Sequence, residues 1–185
     1  MEFNKHFNLV GLHAELSASK SHWVGYDEDK FDRVFLAGQE AKRGTELHAF
    51  AAMAIRLGQR MPANKTTVSM YVNDAIGYRM KAEQPLFVSE NCFGTPDAII
   101  FRNNKLRIHD LKTGKTQTKM QQLMVYMAMF CMEYHFKPFE IEAELRIYQN
   151  DEVKVFEPDP DDIVHIIEKI KFFDKRIRFL KEVSA

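Results

Sequence analysis

The spacing of apolar and polar residues changes along the chain, and each change predicts a new element. From Asp32 to about Arg60, small and apolar residues recur at steps of three and four, which predicts a helix with one buried face. The same kind of spacing predicts a second helix from Thr66 to Met80. After Met80 the pattern shortens to apolar runs of strand length, so the chain changes from helices to a sheet.

Three strand-like runs follow, and a pair of polar residues separates the second from the third. The runs are "QPLFVS", "TPDAIIFR" and "KLRIHDLK". Asn103 and Asn104 stand alone between the last two runs. Because two turn-forming residues between alternating runs are typical of a tight connection, they predict a β-hairpin.

The rest of the chain predicts a helix, a strand pair and a final helix. The segment "TKMQQLMVYMAMFCMEYHF" is apolar nearly all round, which predicts a helix packed deep against the sheet. "IEAELRIY" and "VKVFEP" flank Gln149, Asn150 and Asp151, which predicts a second strand pair. Pro160 is typical of a helix start, and the last helix should run to about Lys181.

This order of elements predicts an α/β fold with a central mixed β-sheet flanked by helices. A chain of 185 residues fits one domain. We therefore expect a single domain over residues 1–185, with a core at about 31–157 and a C-terminal basic helix at about 160–182.

Composition limits the classes of protein that the chain can belong to. With 26 basic and 26 acidic residues the formal charge is zero, so net charge gives no reason to expect nucleic acid. The longest apolar run, Leu123–Met132, is too short to span a bilayer, and the N-terminus has no signal-peptide pattern. Cys92 and Cys131 show no metal-ligand spacing. We expect a cytoplasmic protein without a membrane segment.

The stretch "HDLKTGKTQ", residues 109–117, has two interpretations. Its second half resembles the end of a phosphate-binding loop, G-x-x-x-x-G-K-[ST]. The first glycine of that loop would fall at His109, inside a predicted strand, and without it the backbone amides cannot curl round a phosphate. The first half, Asp110-Leu111-Lys112, is therefore the better candidate for chemistry.

The predicted hairpin brings this half together with a second carboxylate. If Arg102 pairs with Lys105 across the turn, Asp97 lies directly opposite Asp110, with Cβ atoms about 5 Å apart. Lys112 follows two residues later and points to the same face. Two carboxylates and an amine on a buried sheet favour a divalent cation such as Mg²⁺, although solvated residues on an exposed hairpin remain the alternative.

Two helices offer further candidate residues. Gln122 and Tyr126 are four residues apart and share one face of the apolar helix, where they are either site residues or isolated polar breaks. His48 lies on the small-residue face of the first long helix. From the residues alone, a lone histidine there is more often a core residue than a ligand.

Basic residues cluster in two places. Such runs are usually solvated faces, but beside a metal site they are what a phosphate backbone needs. The first cluster surrounds the hairpin and includes Arg102, Lys105, Arg107, Lys112, Lys115 and Lys119. The second occupies the last helix with Lys169, Lys171, Lys175, Arg176, Arg178 and Lys181.

Taken in order, these motifs resemble the PD-(D/E)xK nuclease superfamily. "GTPD" with Asp97, followed after a hairpin by "DLK", resembles its catalytic motif. "QLMVY" resembles the QxxxY motif of the RecB-like exonuclease branch, and "GTELHAF" resembles the helix that supplies a histidine ligand there. "LSASKSHW" resembles the opening of phage- and prophage-encoded members.

The resemblance implies a restriction-endonuclease-like core and a role for each site residue. Asp97, Asp110, His48 and the backbone carbonyl of Leu111 would be metal ligands. Lys112 would orient the attacking water and stabilise negative charge. The substrate-positioning residues would be Gln122 and Tyr126, and the basic residues expected to contact DNA are Lys115 and Lys119.

The resemblance also implies an activity. We expect a Mg²⁺- or Mn²⁺-dependent DNA exonuclease of phage recombination or DNA processing. With two cysteines only, no iron–sulfur cluster is expected. The implied partners are DNA and a recombination protein such as a single-strand annealing protein, with oligomeric state left open. The alternatives are an endonuclease or nicking enzyme of the same fold, and a non-catalytic module that binds DNA ends or a partner.

Overall fold

A computed structural model describes residue 14 and the ranges 16–114 and 120–184. The described residues divide into two compact units, one that ends at Arg43 and one that begins at Gly44. The prediction of a single domain over residues 1–185 stays a prediction.

The described residues form four α-helices and seven strands. The four helices and five of the strands follow the predicted order, and each helix end lies within four residues of its predicted position. The helices are α1 (Glu28–Leu57), α2 (Thr67–Tyr78), α3 (Gln121–Glu133) and α4 (Pro160–Val183). The strands are β1 (Lys81–Ala82), β2 (Leu86–Ser89), β3 (Cys92–Gly94), β4 (Ala98–Arg102), β5 (Lys105–Leu111), β6 (Glu142–Gln149) and β7 (Glu152–Phe156).

The described part of the first unit leads into α1. A 3-10 helix covers Ala18–Gly25, and the Trp23 indole donates to the Ser17 carbonyl at 3.0 Å. The Asp27 carboxylate then accepts a hydrogen bond of 2.8 Å from the Lys30 backbone amide. A carboxylate at this position satisfies a free amide of the first helical turn, so α1 begins directly after Asp27.

The second unit contains a five-stranded mixed sheet in the order β1-β4-β5-β6-β7. Strands β5 and β6 are parallel, and the other neighbours are antiparallel. Helix α3 lies between β5 and β6 in the chain, since parallel strands need a long crossover.

The prediction of one central sheet was incomplete. The run "QPLFVS" does not join the central sheet; β2 pairs with β3 in a separate two-stranded sheet. Strands β1 and β3 have two and three residues, too few to show a period in the sequence.

Helices cover both faces of the five-stranded sheet. On one face, α3 and α4 bury a core that includes Leu106, Ile108, Leu123, Met127, Leu145 and Ile163. On the other face lie α2 and the part of α1 that follows Gly44, with a core that includes Ala51, Ala54, Tyr71, Val72, Ala98, Leu111 and Tyr148. Neighbouring residues of β4 and β5 alternate between these cores, as strand geometry requires.

The predicted hairpin turn is confirmed. Arg102 pairs with Lys105, and Asn103 and Asn104 have φ of 52° and 59°. Two consecutive left-handed residues form the turn whose twist matches that of paired strands, and asparagine tolerates this conformation. The turn therefore sets the register of β4 against β5, which decides the residues that meet at the far end of the hairpin.

A similar turn joins β6 to β7, and it also holds the start of α2. Asn150 and Asp151 have φ of 53° and 58°, while Gln149, predicted in the turn, pairs with Glu152. The Asp151 carboxylate accepts hydrogen bonds from the Thr67 amide at 2.7 Å and from its hydroxyl at 2.9 Å. An N-cap for α2 thus comes from a residue 84 positions away.

Helix α4 begins at the predicted proline. The Asp159 carboxylate caps it by accepting a hydrogen bond of 2.9 Å from the Asp161 amide. Ile163 is fully buried, but the second half of α4 exposes large apolar residues, among them Phe172 and Phe173. In the described parts of the chain, no helix combines the length and apolar character needed to cross a membrane.

Candidate functional site

The register of β4 and β5 brings Asp97 and Asp110 to the same end of the hairpin. The strands pair from Arg102 with Lys105 to Ala98 with His109, as predicted. Asp97 lies just before β4, so its side chain, rather than its backbone, meets the end of β5. Its Oδ2 atom accepts a hydrogen bond of 2.8 Å from the Leu111 amide. The two carboxylates therefore lie close together at the edge where the paired backbone ends.

Strand β6 holds the other side of this end. The Lys112 amide donates to the Tyr148 carbonyl at 2.9 Å, which extends the parallel pairing one residue beyond β5. The amides of Leu111 and Lys112 are thus bound from opposite sides, one by a side chain and one by backbone. Because both are fixed, the backbone that carries Asp110 and Lys112 has a defined position.

Asp110 is a buried carboxylate that faces a lysine. The residue is 3% exposed, and the Lys112 ammonium lies 3.0 Å from its Oδ2 atom. Within the described residues this oxygen therefore has a charged partner, the Lys112 ammonium. Burial raises the pKa of the Asp110 carboxyl to about 6, the charge of Asp97 adds to this, and Lys112 opposes it. A further cation at this position would therefore be stabilising.

His48 is a partly exposed residue that contacts Asp97. Its Nδ1 atom lies 3.3 Å from Asp97 Oδ2, and its side chain is 31% exposed. The hydrogen bond to Asp97 raises the pKa of the imidazole, against the opposing effect of burial. This contact shows that His48 lies beside the two carboxylates, and its role as a ligand stays a prediction.

A glycine one turn before His48 lets α1 approach the chain that follows β5. A Cβ atom at Gly44 would lie 2.7 Å from the Thr113 hydroxyl oxygen. Since real Cβ atoms do not come so close, only glycine allows this approach without a shift of Thr113. The small-residue face of the helix thus brings His48 within reach of Asp97.

Lys112 is held by a chain of polar contacts that begins on α3. Its ammonium donates to Gln122 Oε1 at 3.1 Å, and Gln122 Nε2 lies 3.5 Å from the Tyr126 hydroxyl. That hydroxyl donates to the Thr95 carbonyl at 3.0 Å. The Tyr126 ring packs against Gly94, where a Cβ atom would approach it to 3.0 Å. The two polar residues of α3 are therefore linked to Lys112, and they are not isolated breaks in its apolar surface.

The donor set fits a hard divalent cation. Two carboxylates, an imidazole and the nearby Leu111 carbonyl are oxygen and nitrogen donors of the kind that Mg²⁺ and Mn²⁺ accept. In the structure His48 contacts Asp97, and Lys112 contacts Asp110. Within the described ranges, no three His, Cys, Asp or Glu side chains are already arranged round one point as a metal cage. Binding an ion here would exchange some of these contacts for metal bonds.

Tyr71 is a neighbour of the site that the sequence pattern did not distinguish. It is 2% exposed on α2 and packs edge-on against Tyr148, with ring centroids 5.5 Å apart. Burial raises the pKa of its hydroxyl, and the charges of Asp97 and Asp110 raise it further. In the sequence it is one more aromatic residue on an apolar helix face. Only the tertiary structure shows that the charges of both carboxylates act on its hydroxyl.

The basic cluster round the hairpin is divided by the sheet. Arg107 and Lys105 point to the face opposite Asp110, where each contacts Glu144, at 3.3 Å and 3.5 Å respectively. They are therefore not part of a phosphate-binding surface beside Asp110, because alternate residues of a strand face opposite sides. The two expected DNA contacts, Lys115 and Lys119, lie outside the described residues.

Comparison of the sequence with models of known protein families and with curated proteins found no match. The arrangement of the site residues is therefore the basis for any functional conclusion.

Proposed function

We propose that the chain is a divalent-metal-dependent deoxyribonuclease of the PD-(D/E)xK superfamily with a restriction-endonuclease-like core. The observation that carries the proposal is the convergence of His48, Asp97, Asp110 and Lys112 at the end of β5. These residues come from a helix, a loop and a strand, and their convergence is what the resemblance implies. The mixed sheet with helices on both faces is compatible with such a core.

The proposed metal ligands are His48, Asp97, Asp110 and the carbonyl of Leu111. A bound Mg²⁺ or Mn²⁺ would lower the pKa of a water molecule and shield charge on the scissile phosphate. The burial of Asp110 close to Asp97 supports this assignment, because Lys112 alone does not offset the charge of both carboxylates, and a bound cation would compensate for the remainder. The proposal includes no iron–sulfur cluster.

Lys112 supplies the positive charge that the protein itself brings to the reaction. In the proposal its ammonium orients the attacking water and stabilises the negative charge that develops on the phosphate. Gln122 accepts a hydrogen bond from this ammonium, so it limits the positions that the lysine can adopt. Tyr126 positions Gln122 in turn, through the contact between its hydroxyl and the amide.

The biological setting of the proposal comes from the resemblance alone. We propose an exonuclease that acts at DNA ends in phage recombination or DNA processing, in the cytoplasm of a bacterial or infected host cell. A single-strand annealing protein is the proposed partner, and Lys115 and Lys119 are proposed DNA contacts. An endonuclease or nicking enzyme would use the same site, because the site determines the cutting chemistry and not the access of the substrate.

End-labelled linear DNA and closed circular DNA, each with Mg²⁺, Mn²⁺ or EDTA, test the proposal. We expect loss of linear DNA with either metal, no loss in EDTA, and intact circles, because the reaction needs the metal and a DNA end. Cutting of circles would replace the exonuclease with an endonuclease. If metal stabilises the protein against heat but no DNA is cut, the proposal is wrong and a non-catalytic DNA-end- or partner-binding module replaces it.

Tyr126→Phe should lower the cutting rate without unfolding the protein. The change removes the hydrogen bond to the Thr95 carbonyl and the contact with Gln122, so Lys112 loses part of its support. We expect a decrease of about threefold to tenfold, the effect of about one hydrogen bond. The measurement is the initial cutting rate at saturating metal.

Tyr134→Phe is the matched control for Tyr126→Phe. Tyr134 follows the other end of α3, and its ring packs on Phe130. We expect this variant to cut DNA at the original rate. Equal rates for both variants would show that Gln122 is held in place without Tyr126.

A further inference from the structure

A groove lies between α4 and the start of α3, and we refer to it as the α3–α4 groove. It has a volume of about 510 Å³ and is bordered on one side by β3. Its lining includes Gln121 and Val125 from α3, and Lys169, Ile170 and Phe173 from α4. A groove of this size accommodates small or extended ligands and not a DNA duplex.

Lys169 and Asp174 are the lysine and the carboxylate among the residues that line the groove, and the other basic residues of α4 lie beside the groove. Residues 165–181 contain six lysines and arginines but only two carboxylates, Glu168 and Asp174. Asp174 accepts hydrogen bonds from Ser89 and Asn91 and lies 2.7 Å from Arg178, so its charge is already compensated. This part of α4 therefore has a net positive charge beside the groove, and that charge favours an anionic occupant.

Aromatic and aliphatic side chains form the apolar part of the groove. Phe173 lines it and is 53% exposed, so one face of its ring is open to a ligand. Lys169 lies one helical turn before Phe173, about 6 Å along the helix axis. A cation beside an exposed ring is the combination that binds single strands, because phosphates pair with the charge and bases stack on the ring.

The groove begins next to the candidate site. Gln121 lines the groove, and the next residue, Gln122, accepts the hydrogen bond from Lys112. A strand lying in the groove would therefore reach the first turn of α3, where Lys112 is held. Binding of an apolar partner helix would not explain why the groove lies next to Lys112. Such a helix would also place no negative charge beside the basic residues of α4.

We infer that the α3–α4 groove binds single-stranded nucleic acid and leads it to Lys112, with Phe173 as a stacking platform and Lys169 as a phosphate contact. The inference rests on the proposed nuclease function, but the binding it describes needs neither metal nor cutting. The groove can therefore be tested independently of the site.

The test measures binding by the full chain in EDTA, where cutting is not expected. The probes are a fluorescent oligothymidylate of about 12 nucleotides and a duplex of the same length, followed by anisotropy. We expect the single strand to bind more tightly and Phe173→Ala to weaken its binding by about tenfold, since stacking on the ring is lost. Lys169→Gln should reduce the dependence on salt by about one phosphate contact.

Two variants make the result specific. Phe172→Ala is the matched control, because Phe172 is the neighbouring residue, is 65% exposed and does not line the groove. It should bind as the original chain does. Phe173→Trp keeps an aromatic surface and should restore the affinity that alanine removes.

Three results would overturn the inference. They are equal affinities for the two alanine variants, tighter binding of the duplex, and a dimer in sedimentation that Phe173→Ala dissociates. The last would assign the groove to a second copy of the chain. Strand binding without any metal-dependent cutting would overturn the nuclease proposal but not the inference about the groove. Metal-dependent cutting together with unchanged strand binding by Phe173→Ala would overturn the inference about the groove but not the nuclease proposal.

Discussion

Replacing Lys112 with methionine is expected to lower the rate of DNA cutting by about a hundredfold to a thousandfold, the cost of losing one group that stabilises charge in the transition state. Methionine keeps most of the apolar stem but has no ammonium to place beside the phosphate. The proposed metal ligands are untouched, so stabilisation by Mn²⁺ should persist. The measurements are the cutting rate and the melting temperature with and without metal.

Lys105→Met is the control for this change. Lys105 starts the same strand, its side chain is 20% exposed against 25% for Lys112, and it also pairs with a carboxylate. It points to the opposite face of the sheet, so its loss should leave cutting unchanged at a temperature where both variants are folded. If the Lys112 variant cuts at more than about a tenth of the original rate, the lysine is not the charge-stabilising group.

Asp110→Asn is expected to abolish metal-dependent stabilisation and cutting, yet to stabilise the metal-free protein at neutral pH. Burial raises the pKa of this carboxyl from an ordinary 3.8 to about 6. The pKa of this carboxyl is higher in the folded chain than in the unfolded chain. Its contribution to the free energy of unfolding is therefore complete below about pH 4 and is lost as the pH rises through 6. Asparagine resembles the protonated carboxyl and stays neutral, so in EDTA at about pH 7.5 the gain is up to about 3 kcal/mol.

The experiment has two opposite expected results: the variant gains stability without metal and loses the stabilisation that metal provides. Thermal unfolding in EDTA should show the variant above the original chain at pH 7.5, and a much smaller difference between the two chains at pH 4.5. Added Mn²⁺ should stabilise the original chain alone, because a ligand stabilises only the state that binds it. Asp162→Asn, an exposed change on α4, should respond to Mn²⁺ as the original chain does. Equal stabilisation of the Asp110 variant by Mn²⁺ would contradict the metal assignment.

The hairpin could be predicted in detail because its information is local. Asn103 and Asn104 determine the turn, the turn sets the register, and the register brings Asp97 to Asp110. Each step depends on neighbours in the chain and on the two-residue period of strands. The helices were predictable for the same reason, since their apolar spacing is a local property.

The features that could not be predicted depend on distant contacts. The role of His48 is decided by Asp97, which follows it by 49 positions and approaches only in the folded chain. The residues of β5 show no local sign that Arg107 is paired with Glu144, a residue of the neighbouring strand. Tyr71 adjoins the site through α2, whose sequence pattern indicates burial but not the identity of its neighbours. Sequence spacing thus predicted the elements, whereas packing between elements determined the site.

The bond between Asp151 and Thr67 has a consequence for the order of folding. Thr66 forms no side-chain cap of its own, so the first turn of α2 relies on a carboxylate from the turn between the last two strands. Contacts between residues far apart in sequence form slowly, because a long loop must close before they stabilise anything. The helix that carries Tyr71 therefore reaches full stability only after β6 and β7 have paired. During synthesis, an early helix of the chain therefore depends on a turn that is made later.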